Sequence, residues 1–130
     1  MNYRHAYHAG NFADVVKHAL LVRILTYLRL KEKPFRVIDT HAGIGLYDLA
    51  GDEAERTGEW VDGIGRLDQP LAAEAEALVA PYKAVLSDVK QRHGDTIYPG
   101  SPAIIRELLR RQDQAVFVEL HPDDCRVLTE

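Results

Sequence analysis

Asp39-Thr40-His41-Ala42-Gly43-Ile44-Gly45 gathers a carboxylate, an imidazole and two glycines into seven positions. The two side chains can hold a polar ligand. Glycine permits φ > 0 and lets a ligand come close to the main chain. Phe35, Val37 and Ile38 just before them favour extended backbone. The segment therefore reads as a short buried strand, Phe35–Asp39, that ends in an acid and opens into a glycine turn. In open α/β sheets ligands bind beyond the carboxyl ends of the strands, which is where this turn belongs. The pattern is not the dinucleotide fingerprint, which needs a third glycine opening a helix, so an ordinary glycine turn stays open as the alternative.

A second acid has a similar setting. Ala115–Leu120 reads as another buried strand, with Glu119 near its end. A carboxylate at the tip of the second strand accepts ribose hydroxyls in nucleotide-binding α/β folds. Glu119 lies 74 residues after Gly45, against the usual ~20, so a long insertion must separate the strands. Ser101-Pro102 looks like a helix start, with Ser101 as N-cap and Pro102 in the first turn. The helix over 102–112 would turn its free N–H groups toward the same crevice. His5, His8, His18 and His41 offer a different chemistry, because His-x-x-His can chelate a metal. A pair on a loop lacks the helical i, i+4 geometry of well-attested zinc motifs.

Elements must position these groups. Asn11 can cap a helix, with Asp14 at its third position as an acidic capping box. Apolar residues then recur at three- and four-residue intervals, and the spacing predicts a helix from about Phe12 to Leu30, stopped by Lys31-Glu32-Lys33-Pro34. Asp14, Lys17 and His18 share the polar side of its first turns. Residues 46–97 read as a helical insertion: a polar turn-rich start, a short helix over 59–67, and a strong helix former from Leu71, with Pro81 kinking it or opening a second helix through about Gln91. His93-Gly94-Asp95 ends it. His121-Pro122-Asp123-Asp124 starts a further helix, and the sequence stops about two turns into it. Only two sheet strands are supplied by then, and the expectation is a truncated α/β chain.

Composition narrows the function classes. The 130 residues suit one domain or part of one. No apolar run approaches a membrane span, and no signal region opens the chain. Cys125 is the only cysteine, so neither an internal disulfide nor a cysteine-based zinc site is available. These features favour the cytoplasm. The net charge of −4 is unevenly spread: residues 1–34 sum to +4 and residues 35–130 to −8. A basic N-terminal segment of this kind can meet phosphate, or simply be solvated.

Tyr3-Arg4-His5, His8-Ala9-Gly10-Asn11, Ala13-Asp14-Val15, Lys17-His18, Asp39-Thr40-His41-Ala42-Gly43, Ala54-Glu55-Arg56-Thr57-Gly58-Glu59, Tyr98-Pro99-Gly100-Ser101-Pro102 and Glu119-Leu120-His121-Pro122 run collinearly through nearly the whole chain. In them the sequence resembles the 23S ribosomal RNA adenine-N6 methyltransferases of the J type. The resemblance implies a Rossmann-like class I methyltransferase fold, with core residues 1–45 and 98–130 and a helical insertion at 46–97. It implies S-adenosylmethionine as methyl donor, 23S rRNA rather than DNA as partner, and no membrane. It implies cofactor contacts from His18, His41, Ser101 and Glu119. It places Tyr3 on the substrate side, with His5 and Lys17 near the site. The family's catalytic acid lies in an Asp-Pro-Pro-Tyr motif, and no Asp-Pro-Pro occurs in these residues. The expectation is a chain that binds cofactor without completing catalysis. A histidine-based metal site and a non-catalytic RNA-binding module are the competing readings.

Overall fold

The computed structural model describes residues 3–130. Arg4 to Gly10 is ordered around a 3-10 turn, His5–Tyr7. Helix α1, Phe12–Leu28, follows. Asn11 caps it as expected, its Oδ1 accepting from Asp14 N at 2.9 Å. The return bond differs from a capping box, because Asp14 accepts from Gly10 N at 3.0 Å.

Strand β1, Arg36–Asp39, leads into the glycine turn, where Gly43 and Gly45 take φ of 68° and 88°. The insertion then begins with a strand, a feature not foreseen. β2, Leu46–Asp48, pairs antiparallel with β3, Ile97–Pro99, in the register Leu46↔Pro99. Between them lie α2, Asp52–Thr57, and α3, Ala73–His93. The short helix expected over 59–67 is two 3-10 turns, Glu59–Asp62 and Ile64–Asp68, divided at Gly63. Pro81 lies inside α3, which runs on through it as one helix.

Helix α4, Ser101–Leu108, is shorter than predicted. Ser101 is its first residue, Gly100 is the N-cap, and no side chain caps the helix. Strand β4, Gln114–Phe117, pairs parallel with β1 in the register Arg36↔Gln114 through Asp39↔Phe117. The pairing runs on past both strands, since Val118 N donates to Asp39 O at 2.8 Å and Ala42 N to Val118 O at 3.0 Å. Helix α5, Pro122–Thr129, ends the chain. The result is a mixed α/β chain around a small parallel sheet.

The core is one cluster: Val22 and Leu25 of α1, Tyr47 and Tyr98 of the β2–β3 ribbon, Tyr82, Val85 and Val89 of α3, and Ile104 and Ile105 of α4. Burial of such side chains is the main stabilising term. α3 thus shares its core with the strands and α1.

Two burial expectations are overturned. The strands are covered on one face only: Val37 and Ala115 pack on the core, while Ile38, Val116 and Val118 on the other face are exposed. Pleated side chains alternate, and no described element lies against that second face. Helix α1 is also turned about its axis relative to the expected polar side. Phe12, Val16, Leu20 and Ile24 face outward, while Asp14 and His18 are buried in line with Val22 and Leu25. The helix is apolar nearly all round, so partners for the two polar groups decide which stripe goes inward.

Candidate functional site

The glycine turn lies at the carboxyl ends of β1 and β4, and three anticipated residues meet there. Glu119 sits two residues beyond β4. Its Oε2 accepts from Gly43 N and its Oε1 from His121 N, both at 2.8 Å. Burial opposes its charge, but the amides of His121, Gly43 and Leu120 outweigh that and hold the carboxyl below its usual range. A carboxylate with one amide on each oxygen still has lone pairs for a diol. Asp39 accepts from His41 N at 3.1 Å and from the Ser101 hydroxyl at 2.5 Å. Ser101 does not cap α4, because it lies inside the helix as its first residue with Gly100 at the N-cap, and its hydroxyl donates to the strand-end acid instead. The His41 side chain is exposed, and its Nδ1 lies 2.9 Å from Thr40 Oγ1.

Gly43 is a glycine for a packing reason. A Cβ there would stand 2.2 Å from the Tyr47 hydroxyl, in a left-handed backbone. That hydroxyl accepts from Ile44 N at 3.3 Å. Tyr47 also connects the turn to a second group of residues, since the His5 ring meets it edge-on with centroids 5.5 Å apart.

The hub of that second group is Asp14, which is buried. It accepts from Gly10 N, lies 2.7 Å from His5 Nε2 and pairs with Lys17 Nζ at 3.1 Å. Burial pushes its carboxyl up, but the His5 ring, with His18 and Lys17 behind it, wins and holds it well below the usual range. Tyr3 completes the chain of contacts, its hydroxyl 2.7 Å from His5 Nδ1 and its ring stacked on His8 at 5.2 Å. Tyr3, His5 and Lys17 are thus brought together by an acid that reads in the sequence only as part of a helix cap. Tyr3 and the Lys17 side chain are exposed.

The N-terminal segment that carries these groups is held from three sides. His8 and Asn11 bond Glu59 at 3.0 and 3.2 Å, and Thr57 donates to Tyr7 O. Ile64 N donates to Gly10 O at 2.8 Å, and a Cβ at Gly63 would lie 2.1 Å from that oxygen. Arg4 reaches Asp124 of α5 at 2.9 Å. The Ala54–Glu59 motif is therefore a clamp on residues 7–11.

A family model described as "Ribosomal RNA large subunit methyltransferase D, RlmJ" matches residues 32–130. The chain belongs to this family. Ribosomal RNA large subunit methyltransferase J of Escherichia coli K12 is 47% identical over 98% of the chain, and that of Haemophilus influenzae is 46% identical over the same share. The chain spans 45% of the length of each. A crystal structure of protein LPL1258 from Legionella pneumophila superposes with a TM-score of 0.74 at 36% identity, over 94% of this chain and 44% of that one.

One anticipated residue of this RlmJ-family chain sits apart in character. His18 is only 1% exposed, with Nδ1 2.7 Å from the Tyr98 hydroxyl. Burial drives its imidazole down to about 4 against the pull of Asp14, so it is neutral near pH 7. The four histidines have separate partners, and among the described residues no three metal-ligating side chains converge. A cavity of about 740 Å³ lies elsewhere, under the insertion, lined by Trp60, Leu86, Lys90 and Tyr98 among others. It misses the glycine turn, so the chemistry rather than the volume locates the site. Sequence reasoning did not assign a role to Tyr47, Tyr82 or Tyr98. Their signal was available only as tyrosines in otherwise apolar stretches. No helix of the described residues is long and apolar enough to cross a membrane.

Proposed function

We propose that this chain is the cofactor-binding part of a cytoplasmic methyltransferase that moves a methyl group from S-adenosylmethionine to the N6 of an adenine in 23S rRNA. The observation that carries the reading is Glu119 bonded to the Gly43 amide across the ends of two parallel strands. A parallel pair with a glycine turn after one strand and an acid after the other supports a Rossmann-like methyltransferase core over 1–45 and 98–130, with 46–97 inserted. The relatives' names support rRNA as substrate.

The residues fit the cofactor. Glu119, held ionised by backbone donors, accepts the two ribose hydroxyls. His41 and the amides of the glycine turn line the methionine portion. Ser101 stands at the N-terminus of α4, where amide dipoles favour an anionic group. Lys17 offsets negative charge, and Tyr3 stacks on an adenine taken out of its helix or loop. The cofactor, when bound, supplies an activated methyl on a sulfonium. The protein's task is then to hold the acceptor nitrogen in line with that methyl, which is positioning more than acid–base power.

Calorimetric titration of S-adenosylmethionine into the intact protein tests the proposal. Glu119→Ala and His41→Ala are expected to weaken binding, Glu119→Ala by about ten-fold or more, since hydrogen bonds to a charged group are worth ~1.5–3 kcal/mol. Unchanged affinity in both variants overturns it.

A further inference from the structure

Three buried groups from three separate elements form a hydrogen-bonded line. Tyr82 on α3 lies hydroxyl to hydroxyl with Tyr98 on β3 at 2.8 Å, and Tyr98 lies 2.7 Å from His18 Nδ1 on α1. All three side chains are at most 1% exposed. Burial pushes both phenols far above the ordinary tyrosine range, so both keep their hydrogens.

The hydrogens can be counted. Suppose Nδ1 of His18 carried one and donated it to Tyr98. Tyr98 would pass its own hydrogen to Tyr82, and the Tyr82 hydrogen would have no acceptor, because Tyr98 is its only bonded partner among the described residues. In the reverse direction every hydrogen is used: Tyr82 donates to Tyr98, and Tyr98 donates to Nδ1. Buried hydroxyls rarely go without a partner, so the second arrangement is the stable one. The imidazole hydrogen then sits on Nε2, which makes no bond to any described residue. Among the described residues, Arg4 Nε and His121 Nδ1 are the buried side-chain atoms left unpartnered. Nε2 of His18 is not one of them, so the ring's small remaining exposure reaches that nitrogen.

We propose that Tyr98, backed by the Tyr82 hydroxyl that donates to it, is a positioning residue that fixes the tautomer of His18, holding Nδ1 as an acceptor and presenting Nε2–H as a donor to the ligand. This rests on the reading of His18 as a cofactor contact, and the ligand group it fits is an acceptor such as the cofactor's carboxylate. The relay also gives the insertion a part in the site, because Tyr82 reaches the cofactor only through two other side chains.

Nitrogen-15 NMR of the histidine rings in the intact protein near pH 7 tests the relay. His18 is expected as the Nε2–H tautomer in the wild type. Tyr98→Phe removes the hydrogen that Nδ1 accepts, so a mixture of tautomers should appear, with S-adenosylmethionine binding weakened about five-fold, whereas Tyr82→Phe leaves Tyr98 free to donate and should keep the Nε2–H form. His18→Gln, whose amide nitrogen can stand near Nε2, should keep more affinity than His18→Asn. A wild-type Nδ1–H signal, or a Tyr98→Phe spectrum identical to the wild type, overturns the proposal. If S-adenosylmethionine fails to bind the wild type, the cofactor role of His18 falls, while the tautomer signal still reports on the relay by itself.

Discussion

Replacing Asp14 by alanine should cost this protein about 4 kcal/mol of stability. The sum has identifiable parts. Gly10 N loses its acceptor at a buried position, and an orphaned buried amide costs ~1–3 kcal/mol. The bond to His5 at 2.7 Å is lost, worth ~1.5–3 kcal/mol if charge-assisted. A carboxylate in the first turn of α1 adds ~0.3–1 kcal/mol through the helix dipole. The Lys17 partner contributes little, because the side chain is 60% exposed and exposed pairs are worth ~0–1 kcal/mol. Urea denaturation followed by circular dichroism measures the total. With a slope of ~2 kcal/mol per molar, the midpoint should fall by about 2 M in Asp14→Ala and by no more than ~0.5 M in Lys17→Ala. A loss below about 1 kcal/mol in Asp14→Ala, or equal losses in the two variants, would refute Asp14 as the hub.

Other perturbations have equally definite outcomes. Gly43→Ala forces a left-handed alanine, ~1–2 kcal/mol, and a clash with the Tyr47 hydroxyl. The double variant Gly43→Ala/Tyr47→Phe should regain the clash portion in thermal denaturation, and a double variant less stable than the single one would count against that contact. The His18 pKa falls from 6.5 unfolded to about 4 folded. The unfolded chain therefore takes up a proton in that window that the folded one refuses, and stability is complete above 6.5 and falls as pH drops toward 4, by about 3 kcal/mol in all. Asp14 works in the same direction at lower pH, because its depressed carboxyl pKa favours the fold above 3.8 and that contribution is lost on further acidification. Urea midpoints of wild type and His18→Gln between pH 4 and 7 check this; equal slopes in the two would sink it. Arg110→Lys should lower the thermal midpoint more than Arg111→Lys, because Arg110 alone binds Asp113 and the carbonyls of Arg29, Lys31 and Lys33.

Much of the fold is legible from local pattern. The cap at Asn11, the helix stop near Lys31, the strand before the glycine turn, the parallel return at Ala115 and the start of α5 all follow from turn chemistry and periodicity. What the pattern missed required knowledge of distant partners. Periodicity cannot choose between stripes on α1, because Phe12-Val16-Leu20-Ile24 and Val22-Leu25 are equally apolar. The choice lies with His5, Tyr98 and Gly10, which satisfy Asp14 and His18. Three-residue strands such as Leu46–Asp48 and Ile97–Pro99 are too short for alternation to register. Ser101 has the right type for a cap, but the helix begins one residue earlier than its type suggests, and its hydroxyl donates to Asp39 from 62 positions away. Within the candidate site, the meeting of Glu119 with the glycine turn was accessible because acids and glycines at strand ends have a general meaning. Tyr47 and Tyr82 were not, since a tyrosine in an apolar stretch reads first as core.

The pairing of Arg36 with Gln114 spans 78 positions, and this bears on how the molecule is made. The β2–β3 ribbon and α3 involve shorter separations and can assemble among themselves. The parallel sheet cannot close until β4 has been synthesised, and such non-local pairing is slow because loop closure must precede any reward. During that interval Val37 and Ile38 have no strand beside them and the glycine turn has no Glu119. The nascent chain thus carries an unprotected apolar strand while the whole insertion and α4 are being made. The site closes only once Glu119 has been made, so slow elongation or a rare-codon pause upstream of residue 114 would lengthen the strand's exposure to chaperones and proteases, with no change in the finished structure.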